Sequence, residues 1–107
     1  MSDPVGDVLG ALADGTRRGI VARLASGETP TATELAGSLP ISRQAVAKHL
    51  RVLEDAELVA QERRGREARY HLRVDQLQVA SRWLDEVGVT WERRLRRLKE
   101  QAEEAGD

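Results

Sequence analysis

The stretch TATELAGSLPISRQAVAKHLRVLEDA, Thr31 to Ala56, reads as two short helices meeting at a tight turn. Thr31 and Glu34 have the Thr-x-x-Glu spacing of a capping box, and Leu35, Ala36 and Leu39 make one inner face. Pro40 stops that helix, predicted over 31–39. Ser42 is an N-cap for the next, predicted over 42–56, with Val46, Leu50 and Leu53 inward at helical spacing. Leu39 and Ile41 are apolar at the turn, and small Ala36 sits where the two helices would cross closely. This is a helix-turn-helix, in which the first helix props the second so that its first turns can enter a DNA major groove.

The outward side chains of 42–56 suit that task. Arg43 and Gln44 lie in the first turn, where Arg can pair bidentately with guanine and Gln with adenine. Ala47 permits close approach or touches a thymine methyl. Lys48 and Arg51 lie further back and suit phosphates, and the Ser42 cap with its free N–H groups offers another phosphate contact.

Downstream the period changes. Leu58 to Arg64 and Ala68 to Arg73 are β-type segments flanking Gly65-Arg66-Glu67, which predicts a hairpin. Between Arg63 and Arg73 stand five arginines, Arg64, Arg66 and Arg69 among them, and one acid, Glu67. A basic hairpin after a helix-turn-helix is a wing, and Arg66 near its tip could reach a minor groove or the backbone. Upstream, Val5, Val8, Leu9 and Leu12 form one apolar stripe of a helix over 5–13. Asp14 caps a second helix over 15–26, which carries Ile20, Val21 and Leu24 and closes at Gly27. From Asp75 to about Glu104 the helical period returns through Leu77, Ala80, Leu84, Val87, Trp91, Leu95, Leu98 and Ala102, with the acidic tail from Lys99 expected to fray. The expected architecture is mainly α with a small β-hairpin, a winged helix-turn-helix of order α-α-α-α-β-β-α, in a single domain spanning 1–107.

Composition bounds the function. At 107 residues the chain holds one core, and with no Phe and only 3% aromatics that core is Leu, Val, Ile and Ala. No cysteine is present, which excludes disulfides, thiolate metal sites and thiol nucleophiles. No segment is apolar enough to span a membrane and the start lacks a secretory pattern, so a soluble, cytoplasmic protein is expected. The net charge is −1, yet residues 42–73 hold eight basic against five acidic side chains, a basic island in an otherwise acidic chain. Each feature alone is weak: paired helices are common and basic hairpins are often only solvated loops. Together, and in this order, they point to double-stranded DNA as partner.

Three segments resemble one family. Leu12-Ala13-Asp14-Gly15-Thr16-Arg17-Arg18-Gly19-Ile20 is similar to the opening of the ArsR (arsenic-repressor-like) winged helix-turn-helix repressors. Glu34-Leu35-Ala36 with Ile41 to Leu53 resembles their recognition region, and Leu58-Val59 with Gly65 to Leu72 their wing. The resemblance covers roughly residues 8–73. It implies a dimeric bacterial-type repressor on an imperfect palindromic operator, with the first and last helices as the dimer interface. Gly15 stands where the family usually has proline, and Gly19 adds flexibility inside the second helix. Arg43 and Ala47 stand where Gln and Ser are commoner, which implies a different operator.

The same resemblance frames what is missing. Family metal sites use cysteines in the helix matched by 31–39 or Asp/His/Glu clusters on the last helix. Here the first place reads Leu35-Ala36-Gly37-Ser38 and the last helix has no histidine. No metal and no cofactor is expected. His49 reads as half-packed beside Val46 and Leu53 or touching phosphate, and His71 as an ordinary strand residue. No catalytic constellation appears, so no enzyme is expected. A homodimer seam is expected along Leu77, Leu84, Val87, Trp91 and Leu95, joined by the Val5, Val8, Leu9 and Leu12 stripe. Trp83 and Trp91 read as interface packing or, alternatively, as the lining of a pocket for an unknown organic or lipid-like effector. Arg93, Arg94, Arg96 and Arg97, beside Glu92, Glu100, Glu103 and Glu104, read as an ion-paired face. The competing class is a protein-interaction module whose last helix pairs with a different protein.

Overall fold

Seven elements follow one another in the expected order: α1 (Pro4–Ala11), α2 (Gly15–Ala25), α3 (Ala32–Ser38), α4 (Arg43–Asp55), β1 (Val59–Arg64), β2 (Glu67–Leu72) and α5 (Asp75–Ala105). The structure is a computed structural model that describes residues 2–106; Met1 and Asp107, the ends of the expected domain, lie outside the described residues.

Local capping chemistry sets the helix starts. Asp14 Oδ1 accepts from the Arg17 N–H at 3.0 Å, Thr31 Oγ1 from Glu34 N–H at 3.1 Å, and Ser42 Oγ from Ala45 N–H at 3.1 Å. The Arg17 backbone N–H also holds the Asp14 carboxyl below its ordinary carboxylate value. The capping box at Thr31 is only half made. The Glu34 carboxylate turns away to Arg69, at 3.3 Å, because a guanidinium is the stronger partner.

Helix ends show one surprise. Gly27 takes the left-handed conformation (φ 101°) as its place after α2 requires. After α4 the same conformation falls on Glu57 (φ 58°), a residue with a Cβ. Leu58 N–H donates to Leu53 O at 3.0 Å and Glu57 N–H to Glu54 O at 2.9 Å, the paired bonds of a Schellman turn. Leu53 and Leu58 are both fully buried, so tertiary packing imposes the turn despite the local cost. Glu57→Gly removes that cost, and Gly19→Ala fills open space on an exposed helix. Each should raise stability by about 1 kcal/mol, additively, as read by urea unfolding midpoints.

The core comprises Val8, Ala11, Ile20, Leu24, Leu35, Val46, Leu50, Leu53, Ala56, Leu58, Val59 and Ala80, with Tyr70 as its one aromatic. The hairpin pairs Val59 with Leu72 through Arg64 with Glu67, so Glu67 belongs to the strand and the turn is Gly65-Arg66. Gly65 at φ 64° is the first residue of a II′-type turn, a position glycine fills without strain. β2 also meets the α2–α3 connection: Tyr70 N–H donates to Pro30 O at 3.0 Å, and Thr31 bridges to Arg69.

Only the first turns of α5 reach the core, through Leu77 and buried Ala80, where α1 packs on them. The rest projects, and the radius of gyration is 19.6 Å, against about 13 Å for a compact chain of this length. Fraying was expected from Lys99, but the structure is helical there. The helix continues to Ala105, since Ala102, Glu103, Glu104 and Ala105 are good helix formers.

Candidate nucleic-acid interface

Helix α4 carries the best-prepared face. Arg43, Gln44, Ala47, Lys48 and Arg51 are exposed, while Val46, Leu50 and Leu53 are buried on the opposite side. At about 100° per residue the five exposed positions share an arc of roughly 140°. The α3 helix packs behind α4 through buried Leu35. Arg43 Nη2 donates to Thr33 Oγ1, a tie across the helix-turn-helix that apolar periodicity does not register.

His49 sits apart from that arc, half-buried. Its Nδ1 lies 3.2 Å from Arg17 Nη1. Arg17 is a hub: Nε donates to Ala11 O at 2.6 Å and Nη2 to Gly10 O at 3.3 Å, satisfying carbonyls at the end of α1. The sequence places Arg17 in the stretch that resembles the family, but nothing in its spacing points to His49, 32 residues away.

The wing arginines divide into two kinds. Arg66 is exposed at the turn. Arg64 is exposed and lies 3.4 Å from Glu62, an exposed pair that contributes little. Arg69, expected to touch DNA, is turned inward instead. Nη1 donates to Thr29 O at 2.8 Å, and Nη2 reaches Glu34 and Glu67 at 3.3 Å, with the side chain 27% exposed. A guanidinium fork satisfied by one carbonyl and two carboxylates is an internal strut, tying the wing to the connection before α3. Arg69→Met should cost about 1 kcal/mol of stability. It should also lower hydrogen-exchange protection in β2, without changing the salt slope of DNA binding; a lower slope would return Arg69 to the DNA-contacting set.

The apolar stripes also separate. Val8 is fully buried within the subunit, leaving no surface for a partner, and Leu12 and Leu77 pack against the core. Val5 is half-buried and Leu9 is 38% exposed. Leu84, Val87, Trp91, Leu95 and Leu98 remain about half exposed along α5, on the face that carries Ala80 inward. Trp83 and Trp91 bound a shallow hollow of about 340 Å³ lined by α5 alone. The expected ion-paired face of α5 is absent: among the described residues the ion pairs are Arg23–Glu28, Arg64–Glu62 and Arg69 with Glu34 and Glu67. Exposed long side chains gain too little Coulomb energy to repay their ordering.

Similarity to known proteins agrees with this geometry. A helix-turn-helix domain pattern matches residues 12–62. The solved structure of an ArsR-like transcriptional regulator from Rhodococcus sp. RHA1 superposes with a TM-score of 0.79 at 39% identity, covering 91% of each chain. This chain belongs to the ArsR-like family of winged helix-turn-helix transcriptional regulators. It is 33% identical over 78 residues to the transcriptional repressor SdpR of Bacillus subtilis, covering 73% of this chain and 86% of that one. It is 53% identical over 62 residues to the HTH-type transcriptional regulator Rv2034 of Mycobacterium tuberculosis; that match takes in 58% of this chain and spans 57% of the relative's length. The homodimeric winged helix-turn-helix DNA-binding domain of Mb0332 from Mycobacterium bovis, a possible ArsR-family regulator, superposes with a TM-score of 0.64 at 26% identity over 82% of this chain and 80% of that one.

Proposed function

We propose that the protein is a homodimeric, cytoplasmic transcriptional repressor that binds an imperfect palindromic operator. The α4 helix of each subunit enters successive major grooves and the wings flank them. The observation that carries this reading is the exposed arc of Arg43, Gln44, Ala47, Lys48 and Arg51, backed by α3 and followed by a wing with Arg66 at its tip. The half-exposed α5 stripe supports a dimer, as does the homodimeric relative from Mycobacterium bovis. Similarity to SdpR supports repression. The response is metal-independent: the sequence has no cysteine, and among the described residues no three His, Asp or Glu side chains group as ligands.

Selection from random duplex DNA by the purified protein, with salt and EDTA titrations of the enriched fragments, tests this. A two-fold symmetric site insensitive to EDTA is the expected outcome. Failure to enrich any sequence, with α5 occupied by a different protein, would make the winged helix an interaction module instead.

A further inference from the structure

Arg43 opens α4, Thr33 is the second residue of α3, and both are exposed. At about 100° per residue, Arg43 stands roughly 20° around the helix from buried Leu50 and roughly 40° from exposed Ala47. It therefore roots at one edge of the exposed arc, and its bond to Thr33 shows that this edge is the one beside α3. It also lies in the first turn, the end of a reading helix whose side chains meet base edges.

An arginine guanidinium has N–H donors and no acceptor, so Arg43 Nη2 donates and Thr33 Oγ1 accepts. Nη2 carries two N–H groups, one alongside Nε–H and the other alongside an Nη1–H. Whichever of them Thr33 takes, the other still runs parallel to its neighbour, so one complete fork stays free. Such a fork pairs bidentately with guanine O6 and N7. Among the described residues Arg43 makes no other side-chain hydrogen bond and enters no ion pair, which leaves Thr33 as the anchor of its guanidinium. A loose arginine has several torsions to order on binding, whereas an anchored one has fewer left to lose. The branched β-carbon of Thr33 restricts its own χ1, so the anchor is itself stiff.

We propose that Thr33 is a specificity-determining positioning residue: its Oγ1 fixes the direction of the Arg43 guanidinium and leaves one N–H fork free for a guanine edge. This rests on α4 being the groove-entering helix and on Arg43 reading a base. It gives α3, the supporting helix, a share in base selection without any contact of its own to a base.

Four variants and two readouts test it. In the free protein, ¹⁵N relaxation of Arg43 Nε should report an ordered guanidinium in the wild type and in Thr33→Ser, and a freely reorienting one in Thr33→Val. The second readout is anisotropy titration of the selected operator, of its single-base changes and of a random-sequence duplex. Arg43→Ala marks the position that Arg43 reads, by flattening it. Thr33→Val keeps the side-chain shape but removes the acceptor, and Thr31 still caps α3. It should lower discrimination at that same position about three- to tenfold, with random-duplex affinity and salt slope unchanged. Thr33→Ser should discriminate like the wild type, and Thr33→Val/Arg43→Ala should read like Arg43→Ala alone. Full discrimination by Thr33→Val would overturn the proposal, as would a mobile Arg43 guanidinium in the wild type. So would a Thr33→Val loss that is equal on random duplex, which would make Thr33 a backbone contact. If Arg43→Ala flattens no position, or the wild type selects no sequence, the base-reading role of Arg43 or the DNA reading itself fails, and the proposal fails with it.

Discussion

Replacing Leu84 and Leu95 together by glutamate should convert the protein to monomers and cut affinity for a palindromic duplex by about 10²–10⁴. Both side chains are about half exposed in the isolated subunit, so neither change removes core packing. In a seam between two α5 helices each glutamate would be desolvated without a partner, which helix pairing cannot tolerate. Two linked half-sites bind with an effective local concentration that a monomer lacks, which accounts for the size of the loss. Sedimentation reports the mass, and titration of full and half operators reports the affinity. Wild-type mass retained by the double variant would show that the α5 stripe is not the seam. A monomeric variant with undiminished operator affinity would show that the two subunits read independently.

The second large effect separates Arg43 from Arg66. Arg43→Ala should flatten the preference at one base position by about ten- to a hundredfold, the value of one bidentate pair to guanine. Its affinity for random DNA should change little. Arg66→Ala should weaken operator and random duplex alike and lower the slope of log K against log salt by about one unit. The structure adds a condition on the first. Because Arg43 is tied to Thr33 Oγ1, its guanidinium must either keep that bond while reading the base or exchange it. Equal losses on specific and random DNA for both variants would contradict the division of labour.

The helix-turn-helix was legible because its signals are local. Thr31 and Ser42 cap the helices they were expected to cap, and the turn between those helices carries apolar Leu39 and Ile41. Val46, Leu50 and Leu53 lie inward at the spacing read from the chain. The exposed arc of α4 follows from the same periodicity, since what faces inward determines what faces out. Arg69 was misplaced for the opposite reason. In sequence it is one of five wing arginines with equal claims, and only the approach of the Thr29 carbonyl and Glu34 turns it into a strut. Val8 was misplaced similarly: an amphipathic stripe shows that a face is covered, not whether the cover is the same subunit or a second one.

By itself the amino-acid order determined the element types, their succession, the caps, the inward residues of α4 and the basic island. These depend on side-chain spacing and backbone hydrogen bonding within a few residues. Tertiary structure alone decided which arginine is free and which is bonded, that Arg17 holds His49, that Thr33 holds Arg43, and that Glu57 adopts a left-handed turn. Those outcomes depend on contacts between groups far apart in the chain, or on packing strong enough to override a local preference.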